Sequence, residues 1–289
     1  MGRIAYVNGR YLPHRAARVP VEDRGYQFAD GVYEVFAIKD GAIVDSDLHL
    51  ARLQRSLAEL RIGWPMTPAA LMAVLRGLVR RNGGPAFGAL YMQVTRGVAP
   101  RNHVFPARAK PALVATCRTL PPFDVAATRR GVGVITLPDL RWRRPDIKSV
   151  SLLPNVLAKQ CAAEAGAYEA WLVDDAGRVT EGTASNAWIV TGTGDIVTHP
   201  ADHAILAGIT RTVVVALARA AGLPVVERPF TVDEAKQAPE AFLTSTTSFV
   251  KPVVRIDGTP VGDGRMGPVS ERLLDAYLAH VEAEGGRSR

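Results

Sequence analysis

Two consecutive prolines, within Thr119-Leu120-Pro121-Pro122-Phe123, constrain this chain more than any other feature. Each ring fixes φ and removes a backbone N–H, so the pair cannot lie inside a helix or in the middle of a sheet. The chain must therefore break there, into residues 1–120 and 121–289. A length of 289 residues is long for one simple core and short for three, so two domains of ordinary size follow.

Both segments mix strands and helices. In the first, Asn8-Gly9 predicts a hairpin between Ile4–Val7 and Arg10–Leu12. Val32–Lys39 predicts a strand that Asp40-Gly41 turns back into Ala42–Val44. Leu50, Leu53, Leu57 and Leu60 recur at helical spacing, and Thr67-Pro68 opens a second helix that Asn82-Gly83-Gly84 closes. Leu90–Thr95 and Ala112–Cys117 read as strands, separated by the irregular polar segment Arg96–Pro106. In the second segment, strands are expected around Val132–Thr136, Glu169–Val173, Ala187–Val190, Ile196–Thr198, Phe242–Thr244 and Val253–Ile256. Helices are expected over Asn155–Ala165, from Gly208 to Gly222, after the capping box Thr231–Glu234, and over Glu271–Val281. The fold class is mixed α and β in two lobes, and sites in such proteins tend to lie between lobes.

Composition removes several function classes. No apolar run reaches the ~20 residues of a membrane helix, and the N-terminus reads as a strand rather than a signal peptide. Cys117 and Cys161 suggest neither a disulfide framework nor a zinc site, so no metal is expected and a reducing cytoplasm is the default. The net charge of +7 is spread over scattered arginines, which argues against nucleic acid. One cluster, Arg141, Arg143 and Arg144, reads first as a solvated basic surface and second as a lure for anionic substrates.

Lysines are few: Lys39, Lys110, Lys148, Lys159, Lys236 and Lys251. Lys148 differs from the rest in sitting between apolar neighbours in Asp146-Ile147-Lys148-Ser149-Val150, just before a helix. Burial disfavours an ammonium, which suits an amine to act as a nucleophile or to carry a Schiff base; local context alone favours a structural lysine. Glu181 lies between a strand and the small-residue stretch Gly182-Thr183-Ala184-Ser185-Asn186. It reads as a surface carboxylate unless a heteroaromatic cofactor lies beside it, whose ring nitrogen it could keep protonated. Gly208-Ile209-Thr210-Arg211 opens a helix, and free N–H groups there favour a phosphate. Thr244-Ser245-Thr246-Thr247-Ser248 is either a second donor patch or an ordinary turn. Arg52, beside His49, is a phosphate ligand or a solvent-facing arginine. Arg101 and His103 stand two apart, which in extended backbone points both side chains the same way, as a carboxylate trap requires. Tyr33 could add a hydroxyl to it.

Taken together these strings resemble the class IV, or fold-type IV, pyridoxal-phosphate aminotransferases, and within them the D-amino-acid-specific members. The strings that carry the resemblance are Glu22-Asp23-Arg24-Gly25-Tyr26-Gln27-Phe28, Asp30-Gly31-Val32-Tyr33-Glu34-Val35, Gln93-Val94-Thr95-Arg96-Gly97 and Asp146-Ile147-Lys148-Ser149. Val156–Gln160, Thr180-Glu181-Gly182, Gly208–Arg211 and Thr244–Ser248 follow in the family's order. The resemblance implies a smaller N-terminal α/β domain, a larger C-terminal domain with a barrel-like sheet, and pyridoxal 5'-phosphate between them. It implies that Lys148 is the Schiff-base lysine and proton shuttle, and that Glu181 pairs with the pyridine nitrogen. Arg52, Ile209, Thr210 and Thr246 would hold the phosphate, and Leu206 would pack behind the ring. Tyr33, Arg101 and His103 match the substrate-carboxylate trap.

The implied reaction transfers an amino group between a D-amino acid, such as D-alanine, D-glutamate or D-aspartate, and 2-oxoglutarate or pyruvate in ping-pong order. The partners are these small molecules, with a homodimer expected by analogy. Two strings depart from the D-specific pattern. Leu153-Pro154-Asn155 looks like branched-chain L-aminotransferases, and Phe249 stands where an acidic residue is usual. A branched-chain L-aminotransferase, an (R)-amine transaminase and an aminodeoxychorismate lyase share the cofactor residues and remain alternatives. Outside the family there remain a nucleotide- or sugar-phosphate enzyme and a non-catalytic binding protein.

Overall fold

Asn8 and Gly9 both take positive φ, 43° and 95°, the backbone twist a two-residue hairpin needs. In the computed structural model, which describes residues 2–286, they join β1 (Ile4–Val7) to β2 (Arg10–Pro13). A short helix α1 (Arg24–Phe28) follows, capped by the Asp23 carboxylate on the Gly25 N–H at 2.8 Å. Asp40 and Gly41, at φ 49° and 79°, then reverse β3 (Gly31–Lys39) into β4 (Ala42–Ile43). Helices α2 (Ser46–Glu59) and α3 (Pro68–Arg81) come next, the second opened by Thr67 accepting from the Ala70 N–H at 3.3 Å. Strands β5 (Phe87–Thr95) and β6 (Ala112–Thr119) complete a six-stranded antiparallel sheet in the order β2-β1-β6-β5-β3-β4. Leu53, Leu57, Leu71, Leu75 and Leu78 from the two helices share its core with Val32, Phe36, Ile38, Leu90 and Met92.

This sheet belongs to one of two compact units, formed by Met1–Phe123, Ile147–Ser151 and Val281–Arg289. The return of Ile147–Ser151 has no local sequence signal; it is a long-range pairing.

The other unit comprises Asp124–Asp146 and Leu152–His280. It begins with α4 (Val125–Arg129), β7 (Val132–Pro138), α5 (Leu153–Glu164) and β8 (Glu169–Val173). Next come β9 (Arg178–Gly182), β10 (Asn186–Val190), β11 (Ile196–Thr198) and α6 (Ile209–Ala220). The remainder is β12 (Val225–Glu227), β13 (Phe230–Thr231), α7 (Val232–Gln237), β14 (Glu240–Ser245), β15 (Phe249–Ile256), β16 (Thr259–Pro260) and α8 (Pro268–Gly286), whose residues from Val281 on are counted with the first unit. Its sheet runs β12-β11-β10-β14-β15-β7-β8-β9-β13, with β16 beside β15.

That order forces curvature. Strands β9 and β10 stand five places apart in the sheet, yet only residues 183–185 join them. Five steps across a flat sheet would span roughly 24 Å, whereas the link reaches at most about 14 Å. The sheet must therefore curl back on itself, as the expected barrel-like sheet does. Trp171, Val179, Ala187, Ile189, Phe230, Leu243 and Val253 pack within it. No helix among the described residues is long and apolar enough to cross a membrane.

Candidate active site

Lys148 is held by its backbone on both sides. The Tyr33 N–H donates to the Lys148 carbonyl at 3.0 Å, and the Val150 N–H donates to the Gly31 carbonyl at 3.1 Å. The Lys148 N–H in turn donates to the Ser56 hydroxyl on α2 at 3.3 Å. Ile147 next to it is buried in the core, so the lysine is fixed without a helix or strand of its own. Its side chain is half-buried rather than buried. The Nζ sits 4.2 Å above the Tyr33 ring, and among the described residues no carboxylate pairs with it. An amine in such a place is free to take a carbonyl ligand.

Tyr33 itself stacks on Tyr91, with ring centroids 5.8 Å apart. Burial, with Tyr33 adding to it, pushes the Tyr91 hydroxyl up to about 12, so it stays protonated and donates to Gln93 at 2.7 Å.

Arg52 is not the solvent-facing arginine that its helix position allowed. It is buried, and its Nε and Nη2 donate to the two carboxylate oxygens of Glu34 on β3 at 2.9 and 2.7 Å. His49 Nδ1 lies 2.6 Å from the same carboxylate. Burial alone would push the Glu34 carboxyl up. The Arg52 guanidinium and the His49 bond outweigh it and hold Glu34 at about 2. For His49 burial wins over Glu34, and its pKa falls below the usual range, so the ring is neutral and donates from Nδ1. Glu34 was missed in the sequence because it sits inside a strand of alternating character. The available signal was His49-x-x-Arg52, two polar groups three apart on the apolar face of α2.

Arg101 and His103 lie in an irregular exposed segment, as expected. Both turn to one aromatic ring: the Arg101 guanidinium carbon is 4.6 Å from the Phe28 centroid, and the His103 ring is 5.3 Å away.

In the other unit, Glu181 lies within β9, not after a strand, and it is buried. Its Oε2 accepts from Asn186 Nδ2 at 3.0 Å and from the Leu206 N–H at 3.1 Å. Its Oε1 accepts from Arg141 in a short charge-assisted bond. Arg141 also donates to Asp139 from Nε at 2.9 Å and from Nη2 at 2.6 Å. This overturns the reading of Arg141, Arg143 and Arg144 as a solvated cluster. The Arg141 side chain is only 5% exposed, and Arg144 pairs with Asp146 at 2.9 Å; Arg143 alone is exposed. One guanidinium, that of Arg141, thus stands between two carboxylates, Asp139 and Glu181.

Leu206 also accepts from Asn186 through its carbonyl at 2.9 Å, so Asn186 bridges β10, Glu181 and the Leu206 loop. Gly208 caps α6 without a side-chain acceptor, leaving the N–H groups of Ile209 and Thr210 in the first turn. A Cβ at Gly208 would lie 2.1 Å from Asn186 Oδ1, so any side chain there would displace Asn186. The Thr210 hydroxyl is 3.4 Å from the Tyr277 hydroxyl. Thr246 occupies the turn between β14 and β15, half-buried. Phe249, standing where an acidic residue was expected, is buried at φ 57° and packs 5.2 Å from the Tyr277 ring. Asn155 donates to the Thr183 carbonyl at 2.8 Å, in the loop that follows β9.

Pyridoxal phosphate presents an aldehyde, a pyridine nitrogen and a phosphate, and the donor set fits all three. Among the described residues the Lys148 amine has no carboxylate partner, the Glu181 carboxylate is buried and held in place, and a helix N-terminus is uncapped by any side chain.

The family model described as Amino-transferase class IV matches residues 31–256. A D-alanine aminotransferase of Bacillus licheniformis is 43% identical over 97% of this chain and 98% of its own. One from Staphylococcus haemolyticus is 40% identical over 96% and 98%. Among solved structures, a branched-chain amino acid aminotransferase from T.th. with pyridoxamine 5'-phosphate superposes with a TM-score of 0.89 at 28% identity, covering 99% of this chain and 95% of its own.

Proposed function

Because the chain belongs to the class IV aminotransferases, enzymes that work with pyridoxal 5'-phosphate, we propose that it transfers an amino group between a D-amino acid and a 2-oxo acid. The observation that carries this reading is the 43% identity to a D-alanine aminotransferase along nearly the whole chain. The 28% identity to a branched-chain enzyme, at a similar fold, is the weaker tie. D-alanine, D-glutamate and D-aspartate are the donors proposed, and 2-oxoglutarate or pyruvate the acceptor.

When bound, the cofactor supplies an electron sink for the carbanion at the substrate Cα. Lys148 would hold it through Nζ, and the same amine would take the substrate Cα proton and give it back. Glu181 would keep the ring nitrogen protonated. Arg52, the N–H groups of Ile209 and Thr210, and Thr246 would hold the phosphate, and Leu206 would pack against the ring. Tyr33, Arg101 and His103 bind the α-carboxylate and so decide which enantiomer presents its Cα proton to Lys148.

Self-association into a homodimer is part of the proposal. On α5 the side chains Leu153, Val156 and Leu157 follow helical spacing and are 70%, 59% and 60% exposed, an apolar face that a second copy would cover. A reducing, cytoplasmic setting suits the two free thiols of Cys117 and Cys161.

A coupled assay over D- and L-amino acids tests the reading. Turnover of D-alanine with 2-oxoglutarate is expected, and Arg101→Ala lowers kcat/KM for it roughly 10- to 100-fold, the worth of a hydrogen bond to a charged group. Preference for L-leucine or L-valine would instead support a branched-chain enzyme, to which Leu153-Pro154-Asn155 is similar.

A further inference from the structure

We infer that Arg24 and Phe28 are positioning residues that set the pose of Arg101 and His103, and through it the preference for one enantiomer. The inference rests on the reading of Arg101 and His103 as the α-carboxylate site.

The two trap residues have little to hold them by themselves. Both are exposed, the segment around them has no regular structure, and among the described residues no carboxylate pairs with either. Two long side chains in that situation would sample many rotamers, and ordering them on binding costs affinity. What fixes them comes from α1. The Phe28 ring lies 4.6 Å from the Arg101 guanidinium carbon and 5.3 Å from the His103 ring centroid. The Arg24 guanidinium carbon is 4.8 Å from the same centroid. One ring thus serves as platform for three cationic or aromatic groups.

Arg24 then fixes the backbone beneath. Its Nη1 donates to the Asn102 carbonyl, between the two trap residues, and its Nη2 donates to the His103 carbonyl at 3.4 Å. Its Nε donates to Asp30 Oδ2 at 2.8 Å, and Asp30 also accepts from Arg96 at 2.7 and 2.9 Å. Burial would raise the Asp30 pKa, but the bonds from Arg96 and Arg24 outweigh it and keep the carboxylate charged. The far end of the segment is clamped as well: Phe105 lies 3.6 Å from the Arg96 guanidinium carbon and 4.9 Å from that of Arg61. Arg24 is 3% exposed and spends its donors on this one loop and its anchor. A purely surface loop would not recruit a buried guanidinium for its carbonyls. The trap is pre-organised from below.

The test is a double-mutant cycle on the cofactor-loaded enzyme, read as KM and kcat for D-alanine, the D-to-L ratio of kcat/KM, and the dissociation constant of pyridoxal phosphate. Phe28→Leu is expected to raise KM for D-alanine roughly tenfold, as loss of a ring under a cation implies. The D-to-L ratio falls with it, while kcat and cofactor affinity stay within about twofold. Phe28→Tyr keeps the platform and behaves as wild type, and Arg24→Lys, which cannot reach two carbonyls and Asp30 together, repeats the Phe28→Leu pattern. In an Arg101→Ala background, Phe28→Leu adds little, because coupled residues are not additive. If Arg101→Ala is effective while Phe28→Leu and Arg24→Lys leave KM and the D-to-L ratio unchanged, or multiply fully with it, the positioning role is wrong and the trap stands. If Arg101→Ala itself changes neither, the trap reading fails and this inference with it. Should Phe28→Leu not fold, Phe28→Met answers the same question.

Discussion

Each unit buries a charge cluster beside its candidate cofactor residues, and the two are built on opposite plans. In the first, one carboxylate serves two nitrogen groups: Glu34 holds Arg52 and the neutral His49. In the second, one guanidinium serves two carboxylates: Arg141 joins Asp139 and Glu181. The first cluster locks an arginine in one orientation. The second holds a carboxylate in a place 6% exposed at Glu181, where its charge is little screened. Buried charge clusters contribute little net stability against well-packed apolar residues, so their opposite plans point to function. A fixed guanidinium suits a phosphate, and a fixed buried carboxylate suits a protonated ring nitrogen.

The contrast can be broken from either side. The largest effect is expected from Glu34→Gln. Removing one partner of a buried pair strands the other, which costs about 3–5 kcal/mol, and chemical denaturation should show it. Cofactor affinity should fall too, because Arg52 loses its orientation; phosphate-free pyridoxal, which lacks the group in question, should bind equally to both proteins. The wild type carries the same signature in pH. Since the folded Glu34 carboxyl is held at about 2, below its ordinary value of 4.5, its contribution is complete above about pH 5 and is lost as pH falls towards about 2. Acid unfolding in that window should be blunted in the glutamine variant.

Next in size is Glu181→Gln, which removes the carboxylate charge but keeps the shape. A fall of about 10²-fold in kcat is expected with the melting temperature nearly unchanged. Asp139→Asn should do the same more weakly, by roughly tenfold, because Arg141 then neutralises Glu181 alone. Unchanged kcat in both would remove the electrostatic account of the second cluster. The smallest change is Thr210→Val, expected to weaken cofactor binding by roughly threefold to tenfold, the worth of one hydrogen bond.

What was legible in the sequence follows the same division between local and distant causes. The hairpins at Asn8-Gly9 and Asp40-Gly41 were readable because positive φ demands those residues locally. The Thr67 and Thr231 caps were readable as well, each accepting from the N–H three residues on. At Thr231, though, the capping box is half formed, since Glu234 turns away to Arg228. Strand β9 was not legible: four of its five residues are buried, including Thr180 and Glu181, so no polar–apolar alternation marks it. Nor was the burial of Arg141, whose partners lie two and forty residues away. The pairing of Ser149 with Val32 of β3 was not legible either, because it depends on a contact more than a hundred positions apart.

The central claim is that Lys148, held against Tyr33 and free of any carboxylate among the described residues, carries the cofactor. Borohydride reduction of the loaded protein followed by peptide mapping tests it directly. The account predicts a single stable pyridoxyl label, on the peptide containing Lys148. A label on another of the six lysines, or none at all, contradicts it.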